Sequence, residues 1–179
     1  FFQVKPAIRA DGVDSIRVFG DYLSENLTAE RNARELIGLS HTLCNGRIAR
    51  VATDPAGGAR NPVGPTVLAE YERAGLGPLC RWPATSVADG LALVESFMNP
   101  ADGQSRLHVH PRCVHLIQAI KYYRRAKRAG QWQDYPEDPQ HPFEDLIDAL
   151  RGGLQEKYPS GRPRTSGTSR HLVHHGKIF

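Results

Sequence analysis

Cysteine is scarce in this chain: Cys44, Cys80 and Cys113 stand far apart, and no C-x-x-C pair occurs. That spacing speaks against a disulfide framework and against a zinc site, and it points to an intracellular, reducing setting. No window approaches the roughly 20 apolar residues that a membrane helix requires, and no signal-peptide pattern is present. A G-x-x-x-x-G-K-[ST] phosphate loop is also missing, so ATP hydrolysis is not expected of this chain. With no cofactor loop and no nucleophile motif, a small-molecule enzyme ranks last among the function classes. Internal repeats are absent as well. An initiator Met or leader does not precede Phe1-Phe2-Gln3-Val4, which already has strand character. That is the pattern expected of a piece cut from a longer protein and entered in mid-sheet.

What remains is an ordinary globular composition. The length of 179 residues suits one domain with a full hydrophobic core. A formal charge of +4 leans towards an anionic partner, although the excess is modest and its placement matters more.

Short apolar runs at 1–4 and 15–19 predict two strands joined by a polar turn around Ala10-Asp11-Gly12. A helix is expected over 28–44, with Asn26 or Thr28 as cap, Glu30 in its first turn and Ala29, Ala33, Leu36 and Ile37 inward. Asn45-Gly46 should stop it. The segment 47–66 is the organising stretch. Ile48 and Val51 lie in a run of strand length that breaks at Asp54, and a Pro/Gly-rich turn and a helix over 66–74 follow.

A strand over 79–82 comes next, then a helix capped by Ser86 with Asp89 in the capping-box position and Val87, Leu91 and Val94 on one face. A strand over 106–109 precedes a long helix expected over 112–129, with Cys113, Leu116, Ile117 and Ile120 inward. The stretch 130–140 reads as a loop and 142–157 as the last helix. Strands that begin the chain and then alternate with helices predict an α/β or α+β sheet with helices on its faces. Residues 159–179 read as a basic, flexible tail, and its histidines His171, His174 and His175 receive no role.

Four clusters offer chemistry. Asp54 sits at the carboxyl end of a strand, where α/β sheets place their sites; it equally suits an Asx-turn before Pro55. In the last helix Leu146, Ile147, Leu150 and Leu154 form one stripe, with Glu144, Asp145 and Asp148 on the opposite side. Such clustered carboxylates repel one another, and a divalent cation would offset that repulsion; an acidic first turn favoured by the helix dipole is the structural alternative. The basic run Lys121, Arg124, Arg125, Lys127 and Arg128, interleaved with Tyr122 and Tyr123, fits either phosphate-backbone binding or a solvated helix face. His108 and His110 alternate on a strand, as half-buried residues or as a pair of metal ligands without an evident third.

Three segments occur together in one order: Ala52-Thr53-Asp54-Pro55-Ala56, then Leu107-His-Val-His-Pro-Arg-Cys113 ahead of Tyr122-Tyr123-Arg124, and finally Asp145-Leu-Ile-Asp148-Ala-Leu-Arg151. Over about residues 1–158 the chain resembles the nuclease domain of the large terminase subunit of tailed bacteriophages. The resemblance implies a ribonuclease H-like mixed sheet flanked by helices. It also implies an endonuclease that cuts concatemeric double-stranded DNA during genome packaging with two Mg²⁺ or Mn²⁺ ions. Asp54 matches the acid at the end of the family's central strand and Asp148 the acid of its closing helix, and Asp145, which stands where many relatives carry His, is implied as a third metal ligand. The implied partners are a terminase ATPase domain, the small terminase subunit and the portal, in the cytoplasm of an infected bacterial host. No membrane is involved.

Two departures accompany it. The family's first acid has no match here, since Asp14 and Asp21 come too late in the chain. Gly152-Gly153 follows Arg151 where relatives have Tyr and a small residue, an expected loosening of the last helix by about 1 kcal/mol per Gly relative to Ala. Two other readings compete: a resolvase- or transposase-like nuclease of the same fold, and a non-catalytic DNA-binding assembly module whose acids are surface charge.

Overall fold

The computed structural model describes residues 2–5, 15–59, 64–83, 85–136 and 143–159. The expected polar turn at 10–12, Asp14, Pro142 and the tail beyond residue 159 lie outside them.

The fold is mixed α/β, with parallel and antiparallel pairing spread, among the described residues, over three small sheets. In the first, β1 (Phe2–Lys5) runs antiparallel to β2 (Ser15–Val18), which pairs in parallel with β5 (Leu107–Val109). The registers are Val4 to Ile16 and Ile16 to Leu107. In the second, β3 (Val51–Thr53) and β4 (Leu79–Arg81) run in parallel. They are joined across α2 (Val67–Arg73), the crossover that parallel strands require. The third is an antiparallel hairpin of β6 (Arg125–Arg128) and β7 (Gln131–Pro136). Ile48 falls outside β3, so the central strand is shorter than expected.

Three helix starts follow the local chemistry. Thr28 accepts the Arg31 amide at 3.3 Å and opens α1 (Ala29–Cys44); Thr66 does the same for Ala69 at 3.2 Å. Ser86 accepts the Asp89 amide at 3.0 Å and opens α3 (Val87–Met98). Each side-chain oxygen satisfies an amide that lacks an intrahelical acceptor. Asn45, at φ +54°, closes α1 with the left-handed residue expected there.

The core lies between β2, β5 and three helices: α3, α4 (Val114–Tyr122) and α5 (Phe143–Lys157). Ile16, Leu93, Phe97 and Leu154 are almost fully enclosed, and the Phe97 and Tyr158 rings meet at 5.2 Å between centroids. Burying a side chain of this size is worth about 1.5–3 kcal/mol. The predicted stripe of α5 is the buried one: Leu146, Ile147, Leu150 and Leu154 all enter this core.

Two expectations are corrected. The helix expected over 112–129 ends at Tyr122, and the following basic residues form β6 instead. Arg, Ala and Lys favour helices locally, but Tyr123 leaves the helix at ψ 131°, and Ala129 (φ +47°) and Gly130 (φ +82°) supply the two left-handed residues of a tight hairpin turn. Across the hairpin the Arg125 guanidinium donates to the Gln133 carbonyl at 3.0 and 2.8 Å. Part of the stretch expected as a loop, 131–136, is accordingly strand β7. The Gly152-Gly153 pair does not shorten α5, which runs to Lys157 as expected. A Cβ at residue 152 would come within 2.4 Å of the Trp82 ring, so this glycine lets α5 approach the end of β4.

Candidate acidic site and basic hairpin

Asp54 stands exposed at the carboxyl end of β3. Its Oδ1 accepts the Ala56 amide at 2.7 Å, and it caps the 3-10 turn Pro55–Gly58. The Asx-turn role is therefore realised, and it occupies Oδ1 of the carboxylate.

Asp148 projects from α5, which packs against β3. Arg151, one turn further on, grips it as a fork: Nε donates to Oδ1 at 2.7 Å and Nη2 to Oδ2 at 3.1 Å. The Arg151 side chain is only 10% exposed, against 41% for Asp148, so the guanidinium approaches from inside and leaves the outer face of the carboxylate in solvent. Burial works against the Arg151 charge. The hydrogen bonds and charge of Asp148 outweigh it, with smaller help from Tyr123 and Asp54, and hold the guanidinium above its ordinary pKa.

Tyr123 belongs to the same neighbourhood. Burial pushes its phenol up from the ordinary value, and the negative charges of Asp148 and Glu144 push it further. Tyr123, Glu144, Asp148 and Arg151 thus share one electrostatic environment where α5 packs on α4, and the Asp54 charge acts on Arg151 from the end of β3. Glu144 and Asp148 are half-buried there, whereas Asp145 is exposed.

Among the described residues no group of three or more His, Cys, Asp or Glu is close enough to hold a metal ion. The donor type fits a hydrated Mg²⁺ or Mn²⁺ nonetheless: such ions keep several waters and are held through one or two carboxylates plus substrate phosphates, and Asp54 is exposed while the Asp148 side chain is 41% exposed. A two-ion arrangement needs a further acid.

The five basic residues are not one face of a helix. Lys121 is exposed in the last turn of α4. The Arg124 guanidinium turns back to the Lys121 and Tyr123 carbonyls at 3.1 and 2.9 Å, closing that helix. Arg125 is committed to Gln133, while Lys127 and Arg128 are exposed on β6. Tyr122, 62% exposed, stacks on Phe143 at 6.0 Å, and Tyr123 is the tyrosine that packs inward. Of the two histidines, His108 is exposed on β5, and His110 lies past the strand end, its Nδ1 accepting from the Arg112 amide at 3.1 Å and Nε at 3.2 Å.

One acid stands out only in three dimensions. Asp21 follows β2, its side chain is 9% exposed, and its Oδ2 accepts the Leu116 amide at 2.9 Å with His115 Nδ1 at 3.6 Å. The pairing of Asp148 with Arg151, by contrast, had a signal in the sequence, since residues three apart are neighbours on a helix.

No helix among the described residues is long and apolar enough to cross a membrane. Comparison of the chain with protein-family models, curated proteins and solved structures finds no match.

Proposed function

We propose that this chain is a divalent-metal-dependent endonuclease domain that hydrolyses phosphodiesters of double-stranded DNA, with the ribonuclease H-like architecture and terminase role implied by its resemblance to the phage packaging nucleases. The observation that carries the reading is the packing of β3 against α5, with buried Arg151 within electrostatic reach of both Asp54 and Asp148. Carboxylates from two elements far apart in sequence thereby act on one guanidinium.

Asp54 and Asp148 would hold the ion, with Asp145 as an outer ligand. A bound Mg²⁺ or Mn²⁺ supplies Lewis-acid activation of water and stabilisation of charge on the leaving oxygen. Lys121, Arg124, Arg125, Lys127 and Arg128 would contribute the positive charge that holds the DNA backbone without reading its sequence.

A non-catalytic DNA-binding module is the second reading, and the neutralisation of Asp148 by Arg151 favours it. Supercoiled-plasmid cleavage with Mn²⁺, Mg²⁺ or EDTA separates the two. Metal-dependent nicking that Asp54→Asn and Asp148→Asn both lose, with unchanged circular dichroism, is the expected result. Full cutting by either folded variant refutes the site, and DNA binding in EDTA without cutting in any metal establishes the second reading.

A further inference from the structure

Arg151 engages both oxygens of Asp148 from the buried side, at 2.7 and 3.1 Å. A forked guanidinium is the arrangement that neutralises a carboxylate most completely. It does so at the residue read above as a cation ligand, while the Asp54 charge also acts on the same guanidinium. Any divalent ion reaching Asp148 therefore meets a resident positive charge that is 10% exposed and cannot drift into solvent. We propose that Arg151 is the built-in counter-cation of this site, holding Asp148 in the metal-free protein and competing with the divalent ion for it.

This inference rests on the reading of Asp54 and Asp148 as cation ligands. It makes Arg151 a positioning and regulatory residue: occupancy of the site is set by exchange between an internal guanidinium and an external ion. The fork fixes the Asp148 rotamer before metal arrives, and the guanidinium's charge weakens the ion's hold. A residue that merely supported Asp148 would weaken metal binding when removed. A competitor has the opposite sign.

The test is Mn²⁺ binding, followed by calorimetry and by the paramagnetic resonance signal of unbound Mn²⁺, on the full chain without DNA. Arg151→Gln keeps the polar stem and removes the charge. It is expected to bind Mn²⁺ at least about tenfold more tightly than the parent, because a like charge a few ångströms away shifts such equilibria by one or more powers of ten. Asp148→Asn and the double variant should both bind weakly, showing that the gain passes through Asp148. Affinity that is equal or lower in Arg151→Gln, with Asp148→Asn still deficient, overturns the proposal and leaves the metal site standing. Binding that neither Asp54→Asn nor Asp148→Asn alters, or no binding by any form, removes the metal site and this inference together.

A measurement on the unaltered protein guards against a variant that fails to fold. The Arg151 Nε–H proton resonance should shift away from its metal-free position in step with Mg²⁺ occupancy. A resonance unmoved at saturating Mg²⁺ overturns the exchange.

Discussion

Asp21 accepts the backbone amide of Leu116 at 2.9 Å, so an acid placed just after β2 caps helix α4 from 95 residues away. The residue in the cap position of α4 is Cys113, which makes no side-chain cap hydrogen bond. Its thiol instead points into the core towards the Val18 carbonyl, and burial, with a smaller contribution from the Asp21 charge, raises its pKa. Helix start and sheet end are thereby tied together at one point.

Asp21→Ala removes that cap and should destabilise the protein by about 1–2 kcal/mol, the range for losing an N-terminal helix cap. Urea unfolding measures it, with the loss appearing as a lower midpoint and an unchanged slope. An unaltered midpoint would mean that water replaces the carboxylate at no cost.

Gly152→Ala tests the approach of α5 to Trp82. Alanine is the better helix former by about 1 kcal/mol, yet its Cβ would sit 2.4 Å from the indole. Overpacking should win, for a net loss of about 1–3 kcal/mol. Pairing it with Trp82→Leu should recover part of the loss in a double-mutant cycle; strictly additive effects would disprove the contact.

Tyr123 carries a pH prediction whose sign follows from its surroundings. Burial first, then Asp148 and Glu144, raise the folded-state phenol above its ordinary value of 10.0. The folded protein therefore holds this proton more tightly than the unfolded chain does. The resulting stabilisation is complete below about pH 10 and is lost as pH climbs through the raised folded value. Thermal melts between pH 8 and about pH 11 should show a steeper alkaline decline for the parent than for Tyr123→Phe. Parallel curves would contradict the assignment.

The hairpin yields a prediction about DNA. Lys127→Ala and Arg128→Ala should each lower the slope of log affinity against log salt by about 0.9, the value for one phosphate contact. Arg125→Ala should act differently, lowering stability through loss of the Gln133 contacts. Slopes unchanged in both lysine and arginine variants would take the hairpin out of the interface.

Local chemistry was legible in the chain. Thr28 and Ser86 cap helices within three residues of themselves, and the 3.6-residue stripe of Leu146, Ile147, Leu150 and Leu154 marks the buried face of α5. The same reasoning failed at residues 123–136. There helix-favouring side chains form a hairpin because cross-strand bonds outweigh propensities of a few tenths of a kcal/mol per residue. The Asx-turn at Asp54 and its place at a strand end were legible because both depend on its immediate neighbours. That the Asp54 charge acts on Arg151 depends on β3 meeting α5.

Composition, caps and periodicity by themselves determined an α/β protein and the inward face of its last helix, because each is settled by contacts within about one helical turn. Only the tertiary structure decided that Asp21 caps α4, that Gly152 lies under Trp82, and that Arg151 holds Asp148 from within. The first two join residues 95 and 70 positions apart. The third is local in sequence, but the guanidinium is buried because other elements, α3 at Gly90 among them, pack against the Arg151 side chain. Its strength comes from that burial and not from the three-residue spacing.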